Sequence, residues 1–189
     1  MSFTVASRQC SIWSAPASAL WINQERLALF GYPKRRRRFA LPIPRSEHSH
    51  ERAVLPQHYA DQFGWEEMAA ITARAWARVP ASQRTDCGIF AQNYGQAGAI
   101  DLLGPRYGLP KALSGHQTYY LWGPRNYSGQ CLIVLDDKRE RLEELFEQVE
   151  YVGSSDNPYA LERHVPVFIC RGAKFGTLAK IWPQLKKWN

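Results

Sequence analysis

The chain has 189 residues, 45% of them hydrophobic, enough for one globular domain with an extension. Its net charge of +7 is unevenly placed: residues 1–54 hold nine Lys or Arg against three Glu, whereas residues 55–189 hold fifteen against fourteen Asp or Glu. The part expected to fold is therefore almost neutral, which argues against a nucleic-acid-binding domain, and no window reaches the roughly 20 apolar residues of a membrane helix.

Residues 1–54 are expected to form a basic, poorly ordered extension. They lack a sustained hydrophobic period and contain Pro16, Pro33, Pro42 and Pro44 beside the run Lys34-Arg35-Arg36-Arg37-Arg38. Such a run suits phosphate-rich partners or anionic lipid heads, but more often it is a solvated segment. Arg8 is the only cation before Cys10, and no long apolar core follows it, so no export signal is expected and the chain by itself reads as soluble.

From Leu55 the pattern changes to that of a folded domain. Glu66 to Val79 places Met68, Ile71, Ala75, Trp76 and Val79 on one helical face, with Glu66 and Glu67 in the first turn and Pro80 as the stop. Gly88 to Ala91 reads as a short strand. The run from Gln92 then turns into a helix that ends near Leu103, where Gly104-Pro105 stops it. Tyr119–Trp122 and Cys131–Leu135 read as strands, the second apolar on both faces as in a covered sheet. Arg139–Gln148 reads as an amphipathic helix with Leu142, Leu145 and Phe146 inward. Val149–Val152 and Val165–Cys170 read as strands, and Thr177–Trp188 as a terminal helix despite Pro183. This alternation predicts an α/β fold: a layered α/β/α domain over residues 55–189 with a largely parallel central sheet. The loops after its strands would share one edge, where ligands of such folds usually sit.

Two segments could carry chemistry. Asn93-Tyr94-Gly95-Gln96-Ala97-Gly98 forms a small-residue strand-to-helix turn, and the unpaired N–H groups of a starting helix can hold an anion or a hydroxyl-rich ligand. It has neither the three-glycine dinucleotide fingerprint nor a Gly-Lys-Ser/Thr phosphate loop, and close packing of a helix onto a sheet is the more ordinary reason for its glycines. The second segment is Ser114 to Arg125, where Tyr119, Tyr120 and Trp122 alternate with hydroxyls, amides and His116. Rings stack on the apolar faces of sugars while polar groups bond their hydroxyls, although aromatic strands are also ordinary core. The expected ligand-binding residues are Asn93, Tyr94, Gly95, Gln96, Gly98, His116, Tyr120 and Trp122.

No catalytic residue is assigned. His116 could act as a general base, but no nucleophile and orienting acid can be paired with it from sequence. Asp136-Asp137 ends an apolar strand, a place where metals are sometimes held, and more often such a pair caps the following helix. The four cysteines lack zinc spacing, and His48, His50 and His58 are too loosely arranged to be ligands, so neither a metal nor a cofactor is expected. Cys131 and Cys170 sit in apolar runs and read as small buried hydrophobes, with a disulfide between them open if their strands are neighbours.

Several segments in one order carry a family resemblance: His58 to Met68, Ile89 to Asp101, Gly104 to Pro110, Ser114-Gly115-His116, and Tyr120 to Pro124. From about Glu47 to the C-terminus the chain resembles the C-terminal soluble domain of bacterial membrane glycosyltransferases of family 39, the dolichyl-phosphate-mannose protein mannosyltransferase-like group. The resemblance implies a domain outside the cytoplasmic membrane that helps hold sugar, polyprenyl phosphate or acceptor, beside a membrane-embedded catalytic region. The family's catalytic acids lie in that membrane region, so none has a position here. Residues 1 to about 46 do not fit the family's spans and suggest a truncated or rearranged gene. A second reading is a cytosolic phosphate- or nucleotide-binding module with a basic arm; a third, weaker one is a small hydrolase using His116.

Overall fold

A computed structural model describes residues 55–188. The basic run at 34–38 and the extension assigned to residues 1–54 lie outside the described residues. The first elements follow the sequence closely. Helix α1 (Gln57–Ala60) precedes α2 (Trp65–Arg78), which begins after Gly64 and gives way to extended backbone at Val79. Glu66 and Glu67 occupy its first turn, where the helix dipole favours them, and they also bond outward: Glu66 to Arg106 and Glu67 to Asn157. Met68, Ile71 and Ala75 face inward and are buried, while Trp76 packs at the margin.

Strand β1 (Cys87–Phe90) leads into α3 (Tyr94–Leu103) through the turn at Asn93. Asn93 is the N-cap: its Oδ1 accepts from the Gln96 N–H at 2.9 Å, satisfying a donor the helix cannot pair internally. A 3₁₀ turn at Gly104–Tyr107 follows where Pro105 ends the α pattern. Next come α4 (Thr118–Leu121), β2 (Cys131–Leu135), α5 (Arg139–Leu145), β3 (Phe146–Ser154), β4 (Pro166–Ala173) and α6 (Leu178–Ile181), with a closing 3₁₀ turn at Trp182–Leu185. Among the described residues no helix is long and apolar enough to cross a membrane.

The fold is α/β, but its sheet departs from the largely parallel arrangement expected. The order is β1-β2-β4-β3, with β1 and β2 parallel and both other pairings antiparallel. A parallel pair needs a crossover, and the segment holding α3 supplies one between β1 and β2. Beyond β2 the seven-residue α5 runs straight into β3, its C-cap Phe146 already being extended, and a loop rather than a helix joins β3 to β4. Helix and strand share Arg139–Gln148 differently from the reading of one helix, because the amphipathic period fades after Leu145.

Three other expectations change. Residues 119–122 are not a strand: Gln117 and Gly123 take left-handed backbone (φ 48° and 72°), and the segment between them coils into α4. The coil sends Tyr119 to pair with Trp122 at 4.5 Å and lets Tyr120 stack on Trp182 at 6.0 Å and 8°. The terminal helix shrinks to α6 and a 3₁₀ turn at Pro183. Cys131 pairs not with Cys170 but with Cys87, directly opposite it in the parallel ladder. Cys131 lies opposite Arg171, one position from Cys170, so side-chain alternation sends Cys170 to the other face.

That alternation divides the core in two. One face gathers Cys87, Ile89, Ile133, Val167 and Ile169 against α2 and α3; the other gathers Phe90, Leu132, Val134, Phe168 and Cys170 against α5, Phe146, Leu178 and Trp182. Each fully buried Ile or Leu contributes about 1.5–3 kcal/mol. The outer side of β1 is taken by Leu113, which exchanges backbone bonds with Ile89 and Ala91. At the opposite border of the sheet, β3 carries a bulge at Val152, between Tyr151 and Gly153. The C-terminal segment returns to the β1 side, where Lys187 exchanges backbone bonds with Gly115 and Gln117.

Candidate functional site

The carboxyl ends of the two parallel strands lie side by side, and the residues just past them are polar. After β1 come Gln92 and Asn93; after β2 come Asp136 and Asp137. Between them stands Gln96, fully buried in the first turn of α3. Its side-chain oxygen accepts from the Gln92 N–H at 3.1 Å, and its amide nitrogen donates to Asp136 Oδ2 at 2.8 Å and Glu162 Oε2 at 2.7 Å. The amide orientation follows from those partners, since only a nitrogen can face two carboxylates. Asn93 adds a bond from Nδ2 to Glu162 Oε1 at 2.7 Å. One helix turn therefore holds carboxylates from two distant parts of the chain.

Glu162 reaches this point because its loop is tied down. Asn157 bonds Glu67 on α2, the Leu161 N–H bonds the Ala60 carbonyl, and Ser155 Oγ accepts from the Val165 N–H. Beside Asp136, Asp137 accepts from Gln92 Nε2 at 2.7 Å and from the Lys138 N–H at 2.8 Å, with Arg141 at 3.8 Å. Lys187 closes the chain of bonds by donating to Gln92 Oε1 at 2.9 Å. Gln92, Asp136, Asp137, Arg141, Tyr151 and Lys187 border a cleft of about 800 Å³.

The aspartates were expected to cap the next helix, and they do not. Lys138 occupies the N-cap of α5, with no side-chain cap bond, and Asp136 sits in left-handed backbone at φ 56°. That conformation is uncommon outside glycine and turns the carboxylate toward Gln96. Although Asp136 is exposed as a residue, the protein crowding its carboxylate raises its pKa above the usual carboxylate range. Desolvation is the largest cause; the Gln96 bond opposes it, Asp137 adds to it, and Lys187 opposes it. The Lys187 pKa is lowered, first by desolvation and then by Arg141, against the pull of Asp137 and Asp136.

The eight expected ligand residues divide between two places: Asn93 and Gln96 join the polar network, while Tyr94, Gly98, His116, Tyr120 and Trp122 lie on neighbouring segments away from the cleft. Asn93 and Gln96 belong to the network that supports the cleft, Gln96 entirely from beneath. Tyr94 is exposed and packs its ring 5.1 Å from that of His116, which is only 3% exposed. Gly95 lies against Trp65, and Gly98 faces the Tyr119 hydroxyl. Tyr120 lies on α4 and Trp122 is its C-cap; Tyr120 packs on Trp182, and Trp122 is about half exposed. None of the eight borders the cleft. Sequence reasoning missed Gln92, Glu162 and Lys187, and read Asp136-Asp137, the one signal that pointed there, more often as a helix cap.

Chemically, the arrangement offers carboxylate oxygens with lone pairs left over, fixed by the side-chain amides of Gln92, Asn93 and Gln96, with ammonium and guanidinium groups alongside. This suits hydroxyl groups and, at the cationic side, a phosphate. Among the described residues no group of three or more His, Cys, Asp or Glu is placed to hold a metal ion. Comparisons with protein-family models, with curated proteins and with solved structures give no match to this chain.

Proposed function

We propose that residues 55–189 are an accessory ligand-binding domain of a glycosyltransferase family 39-like membrane system, lying on the extracytoplasmic side, and that the cleft at the strand ends binds the sugar or sugar-phosphate part of donor or acceptor. The observation that carries this reading is the network in which Gln96 fixes Asp136 and Glu162 while Gln92 links Asp137 to Lys187. The segmental resemblance at 58–68, 89–101, 104–110, 114–116 and 120–124 supports the family, and the Cys87–Cys131 disulfide supports an oxidising compartment.

The test is titration of the full chain, followed by amide NMR, with monosaccharides, nucleotide sugars and short polyprenyl phosphates. Shifts at Gln92, Asp137 and Lys187 are expected, and Asp137→Asn should weaken binding by roughly tenfold, about 1.4 kcal/mol. Silence at all three positions with every probe ends the proposal. A second reading, a module for free phosphate or nucleotides, is favoured by Lys138, Arg141 and Lys187 at the cleft. It predicts that inorganic phosphate and nucleotides shift these residues while neutral sugars do not.

A further inference from the structure

The exposed apolar side chains are not scattered. Of the nine large hydrophobic residues exposed among the described ones, six lie on α3, the turn after it, α4 with its C-cap, and the C-terminal segment: Tyr94, Leu102, Tyr107, Leu121, Trp122 and Trp188. Leu102 and Leu121 are 77% and 68% exposed, and Trp122 and Trp188 are each more than half exposed. These segments touch one another. Helix α3 packs against both α4 and the Gly104–Tyr107 turn, Tyr119 on α4 bonds Asp101 on α3, and Lys187 lies in register with His116. Lys186 links α4 to the C-terminal segment, its ammonium 5.3 Å from the Tyr120 ring and 5.1 Å from the Trp188 ring.

Charge follows the same division. Residues 94–130 and 177–188, which build this side, hold six Lys or Arg against Asp101, a net +5, with Glu66 of α2 pairing with Arg106. The rest of residues 55–189 hold nine Lys or Arg against thirteen Asp or Glu, a net −4. The near-neutral body is therefore strongly polarised, with rings and cations together at one end. Tryptophan and tyrosine prefer the boundary between water and acyl chains, lysine stems can lie along apolar surface while their charges stay wet, and cations add attraction to anionic headgroups.

We infer that this aromatic, cationic side docks on the surface of an anionic lipid bilayer, with Leu121 and Trp122 entering the interface and Lys186 against the headgroups. The inference is independent of what the cleft binds. Attachment is shallow and reversible, because a few rings supply the apolar area and no amphipathic helix of useful length is present there.

The experiment uses the full chain with residues 34–38 all changed to glutamine, so that the basic run cannot substitute for the face. Flotation with vesicles of equal parts phosphatidylcholine and phosphatidylglycerol is compared with flotation on phosphatidylcholine alone. Binding to the anionic vesicles, weakened by salt, is expected. Leu121→Ser with Trp122→Ser should lower the partition coefficient by roughly tenfold, and Lys186→Glu should lower it on its own. Tyr159→Ser, on a different loop, should leave it unchanged. Lys186→Glu removes no packed apolar group, so it remains informative if the double variant fails to fold. Absence of binding to anionic vesicles overturns the inference, as does binding that ignores these substitutions or self-association of the protein in place of vesicle binding.

Discussion

At the scale of single residues, Asp136 is the most informative side chain. Its folded-state pKa is raised, so the unfolded chain gives up this proton first. The stability tied to this group is complete below the ordinary carboxylate range and is lost as pH rises through the raised value. Asp136→Asn keeps an oxygen and tolerates left-handed backbone. It should raise the melting temperature at neutral pH, with the gain fading as the pH is lowered, as a calorimetric pH series would record. If Asp136 serves ligand binding, the same variant binds less. The cysteines make a second case. Burial, with a smaller effect from Asp137, pushes the Cys170 thiol up to about 12, so it stays protonated and shielded. In a Cys10→Ser background the native protein should take up no alkylating reagent, and the unfolded, unreduced protein should take up one equivalent at Cys170. Labelling at Cys87 would contradict the disulfide. Part of this was legible in the chain: buried, apolar surroundings for Cys170 follow from its strand. The partner of Cys131 did not, because a one-residue offset in register decides which face each thiol meets.

At the scale of elements, backbone proximity decides what local pattern leaves open. Gly115 is fixed by the returning C-terminal segment: a Cβ there would stand 1.9 Å from the Leu185 carbonyl oxygen. Gly115→Ala must displace that segment and should cost more than about 2 kcal/mol in denaturant unfolding. It should also loosen Lys187 from Gln92, since Lys187 bonds the Gly115 carbonyl through its own backbone. At the start of α3, Gln96→Ala deprives Asp136 and Glu162 of their shared donor. A cost of about 1–3 kcal/mol is expected by the same measurement, whereas Tyr94→Ala beside it, on an exposed side chain, should cost far less. The amphipathic period made α2 readable, the small-residue turn and the Gly104-Pro105 stop made α3 so, and an unbroken apolar run marked β2. Residues 119–122 misled because tyrosine and tryptophan favour strands in general, while stacking on Trp182 and left-handed flanks at Gln117 and Gly123 impose a coil here. The cleft was hidden for a similar reason. Glu162 and Lys187 are separated from Gln96 by 66 and 91 positions, and no local motif announces such meetings.

At the scale of the whole molecule, the disulfide joins the one parallel pair of strands among the described residues, across a separation of 44 residues. Replacing both Cys87 and Cys131 by alanine should cost about 2–4 kcal/mol, measured by chemical denaturation, chiefly by freeing the unfolded chain. An effect near zero would mean that the bond adds nothing to packing already present. The polarised charge has its own signature: association with any anionic surface should weaken steeply with ionic strength, although residues 55–189 carry a net charge of only +1.

The two borders of the sheet carry a further consequence. Leu113 already occupies the hydrogen-bonding row outside β1, and β3 presents Glu147 and Glu150 with an irregularity at Val152 that twists its backbone out of line. Neither border is a flat, apolar template for recruiting a strand from another chain. Concentrated solutions should therefore resist fibril growth, and light scattering should stay constant where a sheet with naked flanks would seed its own precipitation.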